Sequence, residues 1–211
     1  MNPSATATAP TAVDAASLRA ALDGDLHLPG EAGWDEARAA WNLAVDQHPA
    51  AVVFPEHAAD VAAALHAATI AGLRVGVQGT GHNASAFGDL GGALLIKTER
   101  MREISIDPRT RTARVGAGVL WGELVEAAAA HGLAALAGTS HDVGVVGYTL
   151  GGGASWLARK HGLASERVSA VELVTAGGRE RRVTAESDPD MFWALRGGGG
   201  NFVVVTAMEF G

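Results

Sequence analysis

The stretch Val75-Gly76-Val77-Gln78-Gly79-Thr80-Gly81-His82-Asn83 decides the fold of this chain. Its alternating apolar residues predict the end of a buried strand. The glycines that follow predict a backbone that adopts φ > 0 and approaches a bulky group closely. His82 adds a nucleophilic ring nitrogen at the tip of the loop. These nine residues leave two interpretations open: a ligand loop with a histidine that bonds the ligand, or a strand, a turn and a solvated histidine.

The residues before this loop predict a βαβ unit. Ala51–Phe54 is a short apolar run, residues 56–71 have helical apolar spacing, and residues 73–77 are a second apolar run. Such a unit favours a right-handed crossover and a parallel pair of strands. The glycine loop then follows the carboxyl end of a strand, where α/β sheets bind ligands. This position favours the ligand interpretation.

Two further glycine-rich regions occur in the chain, which contains 28 glycines in clusters without a period. Residues 138–153 include six glycines in sixteen positions, a density that neither a helix nor a strand favours, because each glycine costs a helix interior about 1 kcal/mol. Residues 197–200 are a third run. We expect these three regions to be loops that form the walls of one long groove.

The remaining pattern predicts hairpins after residue 100, at 104–107 with 112–116 and at 168–175 with 181–184. We therefore expect an α+β fold with two α/β subdomains that clasp a ligand in a groove. The small βαβ lobe covers about 50–105, and the larger, mainly antiparallel lobe with helices covers 106–211. Other predicted helices are 14–21, 35–45, 119–131, 155–161 and 188–195, and other predicted strands are 93–97 and 202–210.

Composition excludes several classes of function. A formal charge of −7 and 5% aromatic residues argue against nucleic acid or an anionic membrane as a partner. Residues 1–13 have no positive segment or apolar core, so we interpret them as a disordered tail and not as a signal peptide. No apolar run approaches the roughly 20 residues of a membrane span. The chain has no cysteine, which excludes disulfides and thiolate chemistry and fits a cytoplasmic protein.

In combination, the motifs of residues 30–210 resemble the FAD-binding (PCMH-type) domain of the vanillyl-alcohol-oxidase superfamily, and especially berberine-bridge-enzyme-like oxidoreductases. The matching motifs are Trp34-Asp35-Glu36-Ala37-Arg38 with Trp41-Asn42, Gly79-Thr80-Gly81-His82-Asn83, Val115-Gly116-Ala117-Gly118, Val143-Gly144-Val145-Val146-Gly147 with Leu150-Gly151-Gly152-Gly153, and Phe192-Trp193-Ala194-Leu195-Arg196-Gly197-Gly198-Gly199-Gly200-Asn201-Phe202.

The resemblance implies that His82 bonds covalently to the 8α-methyl carbon of FAD, a reaction in which a neutral imidazole is the nucleophile. It implies that the first loop wraps the pyrophosphate with backbone amides, and that the second region follows the ribityl chain and the ring. The expected cofactor-binding residues are Gln78, Gly79, Thr80, Gly81, His82, Asn83, Gly138, Thr139, Ser140, His141, Val143, Gly144, Gly147, Gly151, Gly152, Val174 and Asn201.

The chain departs from the family pattern at several positions. Many relatives carry a second tether, a cysteine, where this chain has Ser140, so we expect a single covalent bond. Val203 replaces a usual glycine and Glu166 a usual aspartate. Relatives also continue into a substrate domain, which is absent here, so we expect a fragment, a truncated product or half of a split enzyme. The catalytic base stays unknown.

Other candidate residues have simpler interpretations. His131 and His161 precede glycines at predicted helix ends, where a cation is favourable, and His141 lies where the flavin ring or substrate is expected. Arg196 is interpreted as a structural anchor, and Asp35, Glu36 and Arg38 as surface or helix-end pairs. The spacing of histidines and carboxylates predicts no metal site, and neither a P-loop nor a G-x-S-x-G elbow is present.

The resemblance implies an FAD-dependent oxidoreductase that accepts a hydride from an alcohol, sugar or small natural product. The resemblance also places Val143 where relatives tune oxygen access, and a small β-branched residue there favours dioxygen as the acceptor, which would give hydrogen peroxide. The alternative is a flavin-binding remnant, or a cofactor half that needs a partner chain and has no turnover alone. A non-covalent reductase subunit on the same fold is a third interpretation, and His82 argues against it.

Overall fold

The computed structural model describes residues 12–211, which contain two β-sheets and seven α-helices. The strands are β1 (Asp25–His27), β2 (Ala51–Phe54), β3 (Arg74–Gln78), β4 (Ala93–Lys97), β5 (Ile104–Asp107), β6 (Thr112–Gly116), β7 (Val168–Val174), β8 (Glu180–Val183) and β9 (Val204–Phe210). The first sheet has the order β1-β2-β4-β3, and the second has the antiparallel order β5-β6-β9-β7-β8. The expected α+β class is confirmed.

The helices are α1 (Ala15–Ala20), α2 (Trp34–Arg38), α3 (Ala58–Ala71), α4 (Trp121–Ala129), α5 (Val145–Leu150), α6 (Ala158–His161) and α7 (Pro189–Leu195), with 3-10 turns at Ala84–Phe87 and Ala164–Arg167. Within residues 12–211, none of these helices is both long enough and apolar enough to cross a bilayer. The predicted tail, residues 1–13, lies outside the described residues except for Ala12 and Val13, and Val13 packs against the core.

The first sheet differs from the expected βαβ pair in one respect. β2 and β3 are parallel, as predicted, but β4 lies between them and pairs with both. Every residue of β4 is buried, as expected for a strand with neighbours on both sides. Its last residue, Lys97, pairs with Gln78 at the carboxyl edge of the sheet, directly before the first glycine loop.

One helix joins the two sheets into a single core. α3 packs against β3 and β4 of the first sheet and against β7 and β8 of the second. Alternate residues of β4 face opposite sides: Leu94 and Ile96 belong to the main core, whereas Leu95 belongs to a smaller cluster under α2. The main core also contains Val171 of the second sheet, so both sheets bury their inner faces together.

Two helix predictions are wrong. The predicted helix 35–45 ends at Arg38, because Ala39 is extended and the Lys97 ammonium binds the carbonyl oxygens of Ala37 and Ala39. The glycine-rich region 138–153 contains α5 and is not a continuous loop. α5 buries Val145, Val146, Thr149 and Leu150, while Gly147 is exposed on its outer side.

The buried carboxylate of Asp60 fixes the start of α3 against the first sheet. It accepts hydrogen bonds from the backbone N–H groups of Asp23 (3.0 Å), Gly24 (3.1 Å) and Glu56 (2.9 Å). We expect Asp60→Ala to lower the free energy of unfolding by about 2 to 4 kcal/mol, because it leaves these donors without a partner. Urea denaturation measures this change. Asp190→Ala, which removes an exposed carboxylate, is the control, and an equal effect of both would contradict the prediction.

Candidate functional site

The first glycine loop begins where β3 ends and turns at Gly81. Gly81 has φ +88°, and a Cβ there would overlap Nε2 of Gln78 and lie 2.8 Å from Cβ of Ala40. The turn therefore requires glycine for its backbone conformation and for space. This close packing orients the next residue, His82, which is 22% exposed at its side chain.

The imidazole of His82 has three neighbours. The indole of Trp41 stacks on it, with ring centroids 3.9 Å apart and an interplanar angle of 16°. The hydroxyl oxygen of Thr80 lies 2.8 Å from Nδ1. An Asp142 carboxylate oxygen lies 3.7 Å from Nε2, beyond hydrogen-bond length, and Nε2 is buried without a hydrogen-bond partner. The ring is thus held in one plane with its two nitrogens in different surroundings.

Trp41 is fixed from both ends. Its backbone N–H donates to the carbonyl oxygen of Thr80 (3.0 Å), and its indole Nε1–H donates to Oδ2 of Asp142 (2.7 Å). The preceding residues are held by Lys97, whose Nζ donates to the carbonyl oxygens of Ala37 (3.2 Å) and Ala39 (2.9 Å). The segment before Trp41 is therefore bound to the central strand of the first sheet.

The pKa shifts of two charged groups near the site, Asp142 and Lys97, have clear physical causes. The hydrogen bond from the Trp41 indole holds the pKa of Asp142 below its usual value, and the nearby imidazoles of His82 and His141 act on this pKa in the same direction. Burial lowers the pKa of Lys97, which is 6% exposed, while the nearby Glu99 carboxylate opposes that shift. Asp142 is therefore an anion at neutral pH, close to the imidazole of His82.

The second glycine region reaches the first loop through Asp142 and is anchored on the start of α4. The N–H of Trp121 donates to the carbonyl oxygen of Val143 (3.0 Å), and the N–H of Gly122 donates to that of His141 (2.8 Å). Gly144, which precedes α5, is buried beside the methyl group of Thr80. Two regions separated by about sixty residues in the sequence thus meet beside His82.

Other residues of the second region differ in their surroundings. Gly138 packs against the ring of Tyr148, where a Cβ would lie 3.0 Å from a ring carbon. Burial raises the pKa of Tyr148, whose hydroxyl oxygen is buried without a hydrogen-bond partner. Thr139 and Ser140 are exposed, and His141 is also exposed. Gly151 is exposed at the end of α5, whereas Gly152 is buried.

The third glycine run meets the other end of α5. The N–H of Gly199 donates to the carbonyl oxygen of Leu150 (3.0 Å), and the exposed Asn201 donates from its amide to the carbonyl oxygen of Gly198 (2.9 Å). Val174 differs from the other expected cofactor residues, because it is fully buried within β7 in the main core. Val203, which replaces a usual glycine, is also buried in this core.

The residues around His82 fit a large polar cofactor. Both side-chain atoms of Gln78, which is 6% exposed, are buried without a hydrogen-bond partner, so they are free to bind polar groups of a ligand. A Cβ at the exposed Gly147 would meet no atom within 4 Å, and at the half-buried Gly79 the nearest atom lies 3.9 Å away. This space allows a ligand to approach the backbone at both glycines.

The other candidate residues make contacts that indicate structural roles. His131 is exposed after α4, and the carbonyl oxygen of His161 accepts two hydrogen bonds from Arg167. The guanidinium of Arg196 lies over the Phe192 ring, 4.7 Å from its centroid. Arg38 pairs with Asp35 at 2.8 Å, as expected, and also with Asp46. In the described part of the chain, no group of three histidines and carboxylates could hold a metal ion.

The comparisons with known proteins agree with this geometry. The family described as "FAD binding domain" matches residues 49–184, well over half of the chain. The chain belongs to this FAD-binding family. It is 36% identical to (R)-6-hydroxynicotine oxidase of Paenarthrobacter nicotinovorans over 89% of this chain and 41% of that protein. The FAD-binding domain described here therefore spans about two fifths of the length of this curated relative.

Solved structures show the same fold. The BBE-like 1 protein of Physcomitrella patens has a TM-score of 0.87 and 31% identity, over 92% of this chain and 43% of that one. A glucooligosaccharide oxidase from Acremonium strictum, whose FAD is 6-S-cysteinyl and 8α-N1-histidyl, has a TM-score of 0.83 and 35% identity, over 92% of this chain and 41% of that one. These likenesses confirm the resemblance to berberine-bridge-enzyme-like FAD oxidoreductases.

Sequence reasoning missed three residues of this FAD-binding domain: Trp41 and Asp142, which contact His82, and Lys97, which holds the segment before Trp41. Trp41 was part of a recognised motif but received no role. Asp142 follows His141 within the second glycine region, and Lys97 ends an otherwise apolar strand. A lone charge at the end of a buried strand is the signal that could have identified Lys97. No local pattern predicts the contact between Trp41 and Asp142.

Proposed function

We propose that this chain is the cofactor-holding part of an FAD-dependent oxidoreductase, with FAD tethered through His82. The observation that carries the proposal is the contact of the first and second glycine regions around His82. That contact combines a buried, unpartnered Gln78 with glycines that leave the backbone open. Membership of the FAD-binding family supports FAD as the ligand.

The chain itself would bind and orient the cofactor. Backbone N–H groups of residues 79–83 would hold the pyrophosphate, because amides in a glycine-rich turn bind anions without a lysine cluster. Residues of the second region would contact the ribityl chain and ring. The proposed set comprises Gln78, Gly79, Thr80, Gly81, His82, Asn83, Gly138, Thr139, Ser140, His141, Val143, Gly144, Gly147, Gly151, Gly152 and Asn201. Val174, which was expected in this set, is left out because it is fully buried in the main core.

The proposed tether is a bond between an imidazole nitrogen of His82 and the 8α-methyl carbon of FAD. The bond would replace one C–H bond of the methyl group: the hydrogen would leave as a proton, and dioxygen, the proposed acceptor, would take up the electron pair. The histidyl linkage in the glucooligosaccharide oxidase supports this assignment. A second, cysteinyl bond cannot form, because the chain has no cysteine.

When bound, FAD would accept a hydride from the substrate and transfer electrons to an acceptor, for which we propose dioxygen. We propose an alcohol, a sugar or a small natural product as the substrate. The names of the similar oxidases, which act on hydroxynicotine and on glucooligosaccharides, support this range of substrates. Within the described residues, the structure identifies no catalytic base.

A second candidate function is a cofactor half that requires a further domain or partner chain for turnover. Exposed apolar side chains favour it: Trp156 is 83% exposed and Trp193 is 75% exposed. Phe202, beside the third glycine run, is also exposed. One measurement separates the two candidates. A chain that is active by itself oxidises substrate once it is loaded with flavin, whereas a cofactor half holds flavin without substrate oxidation.

The first experiment is acid precipitation of the purified chain after incubation with FAD. We expect flavin absorbance to stay with the precipitated protein at close to one flavin per chain, because a covalent bond survives unfolding. A circular dichroism spectrum before precipitation shows that the chain is folded. A folded chain that binds no FAD would contradict the proposed function, and one that releases all its flavin into acid would contradict the tether.

A further inference from the structure

We propose that Asp142, held by Trp41, is a positioning residue that keeps the proton of His82 on Nε2 and leaves Nδ1 free to form the bond to FAD. This inference rests on the proposed tether at His82. It concerns a residue outside the set assigned to the cofactor. The argument depends on where the two nitrogens of one ring lie.

The first step is the position of the carboxylate. A neutral imidazole carries one N–H group and one lone pair. Oδ1 of Asp142 lies 3.7 Å from Nε2 of His82, so a lone pair on Nε2 would face a negative charge, whereas an N–H would be attracted to it. The carboxylate therefore favours the tautomer with the proton on Nε2.

The second step is the access of the FAD methyl carbon to each ring nitrogen of His82. Nε2 is buried and has no hydrogen-bond partner, so an incoming carbon atom cannot approach it without displacing Trp41 or Asp142. Nδ1 faces the hydroxyl of Thr80 at 2.8 Å. A hydroxyl is both donor and acceptor, and in this tautomer it donates to Nδ1. Rotation of that single hydroxyl group releases the lone pair of the nucleophilic nitrogen.

The third step is the fixation of the carboxylate by Trp41. Its indole N–H occupies Oδ2 of Asp142 (2.7 Å), which leaves Oδ1 directed at the imidazole. The same indole stacks on the imidazole, so one side chain sets the position of both groups. The ionisable neighbours of Asp142 are His82 and His141, and within the described residues no other ionisable group contributes to the lowered pKa of Asp142.

The fourth step is the balance of charge when the bond forms. Nδ1 supplies the electron pair for the new bond to carbon, and the proton stays on Nε2. The substituted ring is then an imidazolium cation, and the Asp142 carboxylate stabilises it. Carboxylates that orient functional histidines in metal sites change affinity or activity by about 10- to 100-fold when they are removed. We expect an effect of the same size on the rate of tether formation.

The test uses two measurements on the full chain. The first is the ¹⁵N spectrum of the His82 ring without FAD, which distinguishes a protonated from an unprotonated nitrogen. The second is the rate at which added FAD becomes acid-stable, together with the total amount of FAD bound. The variants are Asp142→Asn, Asp142→Glu and Trp41→Phe, and Asp190→Asn is the matched control because it removes an exposed carboxylate elsewhere.

We expect the wild-type ring to carry its proton on Nε2 and the flavin to be bonded at Nδ1. Asp142→Asn should slow tether formation about 10- to 100-fold with unchanged total FAD, Asp142→Glu should restore part of the rate, and Trp41→Phe, which keeps the stacked ring, should give an intermediate rate. Asp190→Asn should match wild type.

Several results would overturn the role of Asp142: an Nδ1–H tautomer in the wild-type protein, a flavin bonded at Nε2, or an Asp142→Asn rate equal to that of Asp190→Asn. A folded wild-type chain that binds no FAD contradicts the proposed function instead. The tautomer is measured without flavin, so these two failures are distinguishable.

Discussion

Replacing His82 with alanine is expected to abolish acid-stable flavin while the chain stays folded. The side chain is the nucleophile nearest to the meeting point of two glycine regions, and the chain has no cysteine that could form a second tether. The substitution removes a half-buried ring without leaving a buried charge, so we expect it to change the free energy of unfolding by only about 1 kcal/mol. Flavin fluorescence of the denatured protein band measures the covalent fraction.

The control for this substitution is His131→Ala, which removes an exposed histidine after α4. It should retain wild-type covalent flavin. Reversibly bound FAD should remain measurable in His82→Ala, because the other residues proposed to hold the pyrophosphate are unchanged. Covalent flavin in His82→Ala would show that another nucleophile forms the bond, and the assignment of the tether would then be wrong.

The second large effect is expected for Gly81→Ala. An L-residue at φ +88° costs about 1 to 2 kcal/mol, and a Cβ at this position overlaps Nε2 of Gln78 and the buried Ala40. Overpacking of this kind costs a further 1 to 3 kcal/mol or so. We expect the free energy of unfolding to fall by about 2 to 5 kcal/mol, as measured by urea denaturation, and bound FAD to fall with it.

The variant Gly88→Ala separates the cost of the backbone conformation from the cost of close packing. Gly88 also has a positive φ, +67°, but a Cβ there would meet no atom within 4 Å. This variant should therefore lose only the backbone contribution, about 1 to 2 kcal/mol, and should bind FAD as wild type does. If both variants lose the same stability, the close packing of Gly81 against Gln78 and Ala40 contributes nothing, and the prediction is wrong.

The parts of the fold that the sequence predicted are those with local causes. Apolar runs identified β2, β4 and β9, because burial of a strand depends on its own residues. Aspartates identified the starts of α1 and α7, where Asp14 and Asp188 accept hydrogen bonds from the first turn. Clustered glycines predicted regions of close approach, and the structure brings the first two together beside His82.

The parts that escaped prediction depend on contacts between distant residues. The helix expected at 35–45 stops early because Lys97, about sixty positions away, binds the carbonyl oxygens that end it. Trp41 and Asp142 are separated by 101 positions. α5 lies in a glycine-rich region whose helix propensity is low. The helix forms because burial of its apolar face outweighs that low propensity. β1 has only three residues and no distinct pattern.

The shared core beneath α3 has a consequence for how a cofactor enters. Hinge closure needs two bodies whose interface can open, and here one helix buries apolar side chains against both sheets at once. Separating the sheets would expose that core to water, so the walls beside His82 are in place before FAD arrives. FAD then binds to a preformed site, and little binding free energy is lost to ordering the protein.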